Sequence, residues 1–590
     1  MLVLWQLDTG KKQFLPHMSA TIQNVVVSLS GVSYGIQLGD NSTMVLSVTE
    51  LKPTANIAGI QMSVLDSEEV VDTQVGRLAE DRDERVFMQR TPAVISPANP
   101  SRLLVGVGQT QETSPSNSLV LSVPYLQTFD LGSGQNMTRQ ALTRTNETNV
   151  NVTPSAYKVS EPRVTHMKAS FDGQWLATVD EWTPPKRDVD FLEHQGKKIH
   201  DERRFRREVF LKFWQWSKEN ETWELVSRID APHMLSGASA GAGKVFDLAA
   251  DPSSLCFSTI GEDGFIRIWS TKTRKRDGVV MREKDGQALR NWDCQHAISV
   301  GKPVLHTDLD TPQRRPESGS VTFSEDGSLI AAACGNEEVL HLIDPRSGII
   351  RLSKSGLQDG EILKAEFLGQ DLITLSNNLQ VYDIVSDELR HSIRLSSAVT
   401  KLSVSQKNEM MHLAVDRKSR TFAVALPAGF ESKTESLLAT YGELAVFEQD
   451  RREPIFEETF PTLITSLLPA VGSDGYLVLD SAAEIRSVLR KGTQSVTTQA
   501  QSTSALQLDE VEESNGDLLR LMEDETEEVE EVLPSSQILD VDEEDNALVI
   551  RQQQLTEIFD IGPSFALPSM EELFYQVAGL FIGPPLQKAS

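Results

Sequence analysis

A chain of 590 residues is too long for one ordinary core, so it must fold as several units or as a repeat array. Its formal charge of −29 is uneven: between Asp509 and Asp545, 17 Asp/Glu face one basic residue and carry −16, leaving the rest mildly acidic. The three cysteines stand far apart, no apolar run nears the roughly 18 residues that cross a bilayer, and the start "MLVLWQLDTG" turns polar at once; disulfide frameworks, zinc sites, membrane spans and secretion signals find no support.

From the N-terminus, "LVLWQLDTG" reads as the closing strand of a β unit. "VVVSLSGVSYGIQLGDNSTMVLS" from Val25 is then a fuller unit: strand, small-residue turn, apolar strand, turn, strand. The pattern recurs weakly around "AVISPANPSRLLVGVGQ", then as "MKASFDGQWLATVDEW" completed after an insertion by "VFLKFWQWS". Its cleanest copy is "VFDLAADPSSLCFSTIGEDGFIRIWS". Three more follow, "SVTFSEDGSLIAAACGNEEVLHLIDPRSG", "LKAEFLGQDLITLSNNLQVYDIV" and "KLSVSQKNEMMHLAVDRKSRTFAVAL", and a weak one lies around "SLLPAVGSDGYLVLDSAAEIRSVL".

Asp-Gly, Ser-Gly and Asn-rich dipeptides supply the backbone conformations of tight hairpins, and strands of about five residues between them suit sheets covered on both faces. Four such strands repeating at roughly 40 to 45 residues predict an all-β, WD-repeat β-propeller, whose blades bury one another. The first-turn residues Gly327, Gly369 and Asn408 keep that period, whereas Gly173, Ser253 and Gly327 are spread by polar insertions at Thr183 to Arg207 and Lys275 to Pro316. Seven copies lie between Ile60 and Arg490, which predicts a seven-bladed propeller over 56–490, preceded at 1–55 by the last part of an incomplete N-terminal propeller. A chain that opens in mid-blade implies missing N-terminal sequence.

After Arg490 the sequence is polar, then acidic, and is expected to form a disordered linker over 491–548. In the final segment, 549–590, Ser569 and Glu572 form a capping box ahead of Leu573, Phe574, Val577, Leu580 and Phe581, the apolar face of a candidate partner-docking helix stopped by Gly583 and two prolines.

Catalytic signatures are missing from the sequence. "GASAGAGKVF" mimics a phosphate loop, but Ala238 stands where its first Gly belongs and Val245 where its metal-binding hydroxyl belongs. The ten histidines show no metal spacing, and His166 reads as a blade residue satisfied by backbone. No enzyme activity, cofactor or small-molecule substrate is expected. Two basic stretches remain. Residues 182–207 carry eight Lys/Arg against five Asp/Glu, including Lys197, Lys198 and the run Arg203, Arg204, Phe205, Arg206, Arg207; the second holds Lys272, Arg274, Lys275 and Arg276. Cations interleaved with an aromatic can grip phosphates and stack on a base, so both are candidate RNA contacts; the bland alternative is a pair of solvated loops.

The stretches "LDTGKKQFLPHMSATIQNVVVSLSG", "FDGQWLATVDEW", "GEDGFIRIW" and "VTFSEDGSLIAA", with the tail "LTEIFDIGPSFALPSMEELFYQVAGLF", together resemble the WD repeat-containing protein 75 family, in fungi the nucleolar proteins of the transcription-associated U3 subcomplex. "TGKKQFLPH" after a closing strand is the most specific element. The resemblance implies a noncatalytic tandem-propeller scaffold of the small-subunit processome, N-terminally truncated here, in the nucleus and nucleolus and away from any membrane. It implies other WD-repeat proteins, U3 snoRNA and the 5′ external transcribed spacer of pre-rRNA as partners, and a role in 18S rRNA maturation coupled to RNA polymerase I transcription. A WD-repeat adaptor of another class, such as a ubiquitin-ligase substrate receptor or a chromatin-associated scaffold, is the competing expectation.

Overall fold

Turn chemistry and alternating strands produce the same sheet again and again. In the computed structural model the described residues lie between Leu2 and Leu489, with the main gaps at 61–89, 144–161, 190–198 and 302–315. The chain divides into two compact units, 1–507 and 508–590; all described residues belong to the first. The expected linker and the docking residues Leu573, Phe574, Val577, Leu580 and Phe581 lie outside the described residues.

The protein is an all-β WD-repeat propeller. Six antiparallel four-stranded meanders and one three-stranded meander follow in order between Ala93 and Leu489. Their inner strands are Ala93–Ile95, Arg163–Ala169, Val245–Ala250, Gly319–Phe323, Lys364–Leu368, His412–Asp416 and Ile464–Pro469, belonging to blades 1 to 7. Seven apolar clusters each join two consecutive blades, and the cluster that unites Leu477 and Leu479 of blade 7 with Val105 and Tyr125 of blade 1 completes the circuit. At the same seam the Thr91 amide donates to the Thr465 carbonyl at 3.0 Å.

A further four-stranded sheet, Ile22–Val27, Ser33–Leu38, Ser42–Ser47 and Pro53–Ala58, precedes the ring. It is pegged to blade 1: Ile60 is buried in the cluster between blades 7 and 1, and Gln127 Nε2 donates to the Gly59 carbonyl at 2.8 Å. Ahead of it stands the hairpin Leu2–Trp5 with Lys12–Leu15.

The turns explain the sequence signals. In "SFDGQ" and "SEDGS" the serine hydroxyl accepts from the backbone across the turn (Trp175 to Ser170 and Leu329 to Ser324, both 3.0 Å), and Gly173 and Gly327 take positive φ. At the ends of third strands, Asp130, Asp344 and Asp383 accept amide N–H bonds from the next turn. Blade 3 adds a buried relay. Trp269 Nε1 donates to Thr259 Oγ1 at 2.9 Å, Thr259 faces His233 Nε2 at 2.9 Å, and His233 Nδ1 meets Asp263 at 2.7 Å. With Nδ1–H on the carboxylate, Nε2 is left as acceptor for the threonine hydroxyl. Gly261 is obligatory beside this relay, because a Cβ there would lie 2.2 Å from the His233 ring. Blade 2 has the matching Trp214 to Thr178 bond, 2.9 Å.

Two expectations need correction. Asn408 is no hairpin turn: Val404–Met410 is a helix whose capping box joins Ser403 and Gln406, and the inner strand of blade 6 begins at His412. The fourth strand of blade 3, Arg290–Ser299, runs inside the stretch read as insertion; an outer strand with mostly exposed polar residues carries little apolar signal.

Replacing Thr259 with Val keeps the volume but strands the Trp269 and His233 nitrogens, so stability should fall by about 2–4 kcal/mol, seen as a lowered Tm with the fold retained.

Candidate functional site

The two basic stretches lie on opposite faces of the ring. In an antiparallel meander the turns between first and second strands and between third and fourth strands share one face; those between second and third strands share the other with the blade crossovers. The insertion after Trp182 joins the second and third strands of blade 2, whereas Lys272 to Arg276 span the end of the third strand of blade 3 and the start of its connection to the fourth.

The insertion ends in the helix Ile199–Phe205, which is fastened to the crossover face by its own arginines. Arg207, only 8% exposed, places Nη1 at 2.7 Å from Glu262 and Nε at 3.4 Å from Glu181; Arg204 also pairs with Glu262. Arg203 Nε donates to the Pro184 carbonyl at 2.8 Å. Lys244 adds its backbone N–H to Glu262 at 3.1 Å and brings its ammonium to 3.8 Å from Glu181. Burial opposes ionisation of Glu181, yet the fields of Lys244, Arg207 and Arg163 hold its carboxyl below the usual range. The phosphate-loop mimic finds its meaning here. Lys244 serves two glutamates, and Gly241 makes room for the helix, since a Cβ there would lie 3.0 Å from the Phe205 carbonyl oxygen. Arg203, Arg204 and Arg207 are therefore structural ties, a correction to their reading as open RNA contacts. Phe205 and Arg206 are the exposed members of the run, and Lys197 and Lys198 lie outside the described residues.

The other stretch is open. The third and fourth strands of blade 3 run on beyond the sheet as a ribbon: Thr273 pairs with Arg290, Arg274 N donates to the Leu289 carbonyl at 2.7 Å, and Lys275–Arg276 pair with Val279–Val280. Lys272, Arg274, Lys275 and Arg276 are all exposed, as are Arg282 and Arg290. Lys272 lies 3.4 Å from the exposed Asp293, and Arg282 donates to the Gly286 carbonyl at 2.8 Å. Arginine and lysine heads on a solvent-facing ribbon can follow a phosphate backbone without giving up a buried ion pair.

Between the faces runs the central channel. Near its crossover end Asp247 receives Lys364 Nζ at 2.8 Å, the Ser320 hydroxyl at 3.1 Å and the Val321 amide at 3.2 Å. The helix Val404–Met410 reaches across this end: Glu409 accepts the Arg90 amide at 2.7 Å and the Arg163 guanidinium at 3.0 Å, and Asn408 Nδ2 lies 3.4 Å from the Glu317 carbonyl. Blade 6 thereby touches blades 1, 2 and 4. His166 sits against the Phe246 carbonyl at 2.9 Å, as its backbone-satisfied reading anticipated. The sequence reading missed Asp247, Lys364 and Glu409; the S-x-x-Q capping box before Glu409 was the available signal. The relay residues His233 and Thr259 were missed too, and the histidine preceding a Gly-Glu-Asp-Gly…Trp segment could have flagged them.

These features define a WD-repeat propeller with one charge-locked face and one open basic ribbon. No protein-family model matches the chain. It is similar to the protein named U3 small nucleolar RNA-associated protein 17 of Schizosaccharomyces pombe, 25% identical over 500 residues that cover 82% of this chain and 51% of the relative. It is also similar to NET1-associated nuclear protein 1 of Saccharomyces cerevisiae, 22% identical over 362 residues, 58% of this chain and 35% of the relative. The chain thus spans about half the length of the first and a third of the second. By their names the first relative is associated with U3 small nucleolar RNA and the second is a nuclear protein. A chain of a solved structure titled "Crystal Structure of Mitotic Checkpoint Complex" overlays 68% of this chain and 91% of its own at TM-score 0.39 and 11% identity; the strand topology defines the fold independently of it.

Two outcomes follow from the buried charges. Glu262→Ala strips buried Arg207 of its nearer carboxylate and should cost about 3 kcal/mol, whereas Arg206→Ala should stay within about 0.5 kcal/mol; urea unfolding of both separates tie from surface. Acid should act through the histidines. Burial first, then Lys364, pushes His166 down to about 4 from 6.5, and burial first, then Arg90, pushes His412 down to about 3. Between pH 6.5 and about 4 the unfolded chain therefore binds more protons, so stability rises with pH and is lost on acidification. His166→Gln keeps a donor for Phe246 and should flatten the fall of Tm over that window; an unchanged slope would exclude His166 as a cause.

Proposed function

We propose that the chain is a noncatalytic WD-repeat scaffold of the small-subunit processome, of the WD repeat-containing protein 75 type, working in the nucleolus on pre-rRNA processing for 18S rRNA and on its coupling to RNA polymerase I transcription. The observation that carries this reading is the similarity to U3 small nucleolar RNA-associated protein 17 along 82% of the chain. In this reading the propeller's outer surfaces receive other WD-repeat proteins. The exposed ribbon of Lys272, Arg274, Lys275 and Arg276 meets the backbone of U3 snoRNA or the 5′ external transcribed spacer of pre-rRNA. Support for the ribbon is its solvent exposure together with its separation from the acidic groups that engage the arginines of the other stretch. Phe205 and Arg206 remain a secondary candidate contact on the opposite face.

Gentle affinity purification of the protein should bring down U3 snoRNA and pre-rRNA; absence of both ends the reading. Changing Lys272, Arg274, Lys275 and Arg276 together to Ser should weaken spacer-RNA binding about tenfold or more and lower the salt slope by up to about 3, with Tm unchanged. Crosslinks and salt slope equal to wild type would remove the ribbon from the interface.

A further inference from the structure

The channel has a volume of about 490 Å³, in the range of sites that hold small molecules. Three of the cations lining it, Arg90, Lys168 and Arg417, have no ion-pair or hydrogen-bond partner for their charged groups among the described residues. Arg417 is exposed at the rim, just past the end of the inner strand of blade 6; Arg90 precedes the inner strand of blade 1 at the other end, and Lys168 belongs to the inner strand of blade 2.

The lining holds five cations, Arg90, Lys168, Lys364, Arg417 and Lys418, against three carboxylates, Asp247, Glu366 and Asp416, and Lys418 is taken by Asp474 outside the lining. Asp247 is filled by Lys364, Ser320 and Val321, and Asp416 accepts from the turn amides of Lys418 and Gly475. Glu366 takes one bond from Thr322, at 3.0 Å. Burial first, and then the positive fields of Arg90 and Lys168, draws the Lys364 ammonium below the ordinary lysine value although Asp247 opposes them. A protein of charge −29 thus keeps an excess of cations in its central channel, where like charges repel more strongly than in open solvent.

We propose that this channel is a binding site for a small molecule bearing a polyphosphate chain, which enters at the Arg417 rim and reaches inward toward Lys168, Lys364 and Arg90. A linear polyanion matches cations strung along an axis, and guanidinium forks at both ends suit phosphate oxygens. The proposal stands apart from the RNA reading, since the ribbon contributes nothing to the channel lining.

Titration calorimetry on the full chain at fixed ionic strength tests it, with tripolyphosphate, orthophosphate, citrate and ATP as probes. Tripolyphosphate should bind, orthophosphate and citrate much more weakly, and ATP tells whether a nucleoside on the chain is accepted or only free polyphosphate. Lys168→Met, and Lys168→Met with Arg417→Met, break no existing bond and should weaken tripolyphosphate by about tenfold or more while leaving the unliganded Tm unchanged or higher. The serine variant of the ribbon should bind tripolyphosphate as wild type does. No tripolyphosphate binding, equal binding of citrate, indifference to Lys168→Met, or loss in the ribbon variant would each overturn the site.

Discussion

A blade of this protein has no core of its own. Each sheet is at most four strands wide, and its apolar side chains point to two faces, so burial happens only where one blade lies against the next. The clusters show this residue by residue: Phe213 of blade 2 stacks on Trp292 of blade 3 at 4.4 Å, and Ile373 of blade 5 shares a cluster with Phe422 of blade 6. Closure is therefore a condition of stability. An open array would leave one face of its first and last blades in water, each exposing several large side chains at about 25 cal/mol for every Å². The seam between Leu479 and Val105 removes that cost and lets short, turn-rich sequences with degenerate signatures hold together.

Once the ring is closed, its strand ends become fixed points, and charged groups there can be partnered through distant sequence. Glu409 binds residues 246 and 319 positions away along the chain. Arg207 bridges Glu181 of its own blade and Glu262 of the next. Ion pairs this poorly solvated contribute little net stability against apolar replacements, but breaking one half is costly, so they fix how an insertion lies more than they strengthen the fold. An arginine-rich segment in an acidic protein thus becomes a clasp, and its charge is spent internally.

That distinction marks the limit of what the sequence disclosed. Blade turns were legible because Gly173 and Gly327 need positive φ and their serines and aspartates bind the backbone locally. Trp269 was legible as a strand residue, in a strand that runs on to Thr273, yet its relay to His233 was hidden, since those residues come together only through the crossover between blades. Likewise "RRFRR" and "TKTRKR" look alike as strings. Which one is open depends on Glu181 and Glu262, placed by strands on either side of the insertion, and no local pattern encodes that pairing. The helix before blade 6 was misread for the opposite reason: alternation at Leu402 and Val404 imitates a strand, while the capping box of Ser403 and Gln406, local and visible, decides for the helix.

The two faces consequently differ in what they can offer a partner. On the crossover face Glu409, Glu181 and Glu262 engage Arg163 and Arg207 across blades 1, 2, 3 and 6, so a polyanion seeking those arginines would have to displace carboxylates already held at 2.7 to 3.4 Å. On the opposite face the ribbon of blade 3 and the Arg417 rim of blade 6 present cations that meet solvent. An acidic protein repels nucleic acid at long range, and only a local excess of positive charge, projecting beyond the sheet edges, can reverse that field within a screening length of about 8–10 Å. The ribbon meets this requirement because the third and fourth strands of blade 3 continue past their neighbours, carrying their cations outward on a paired backbone.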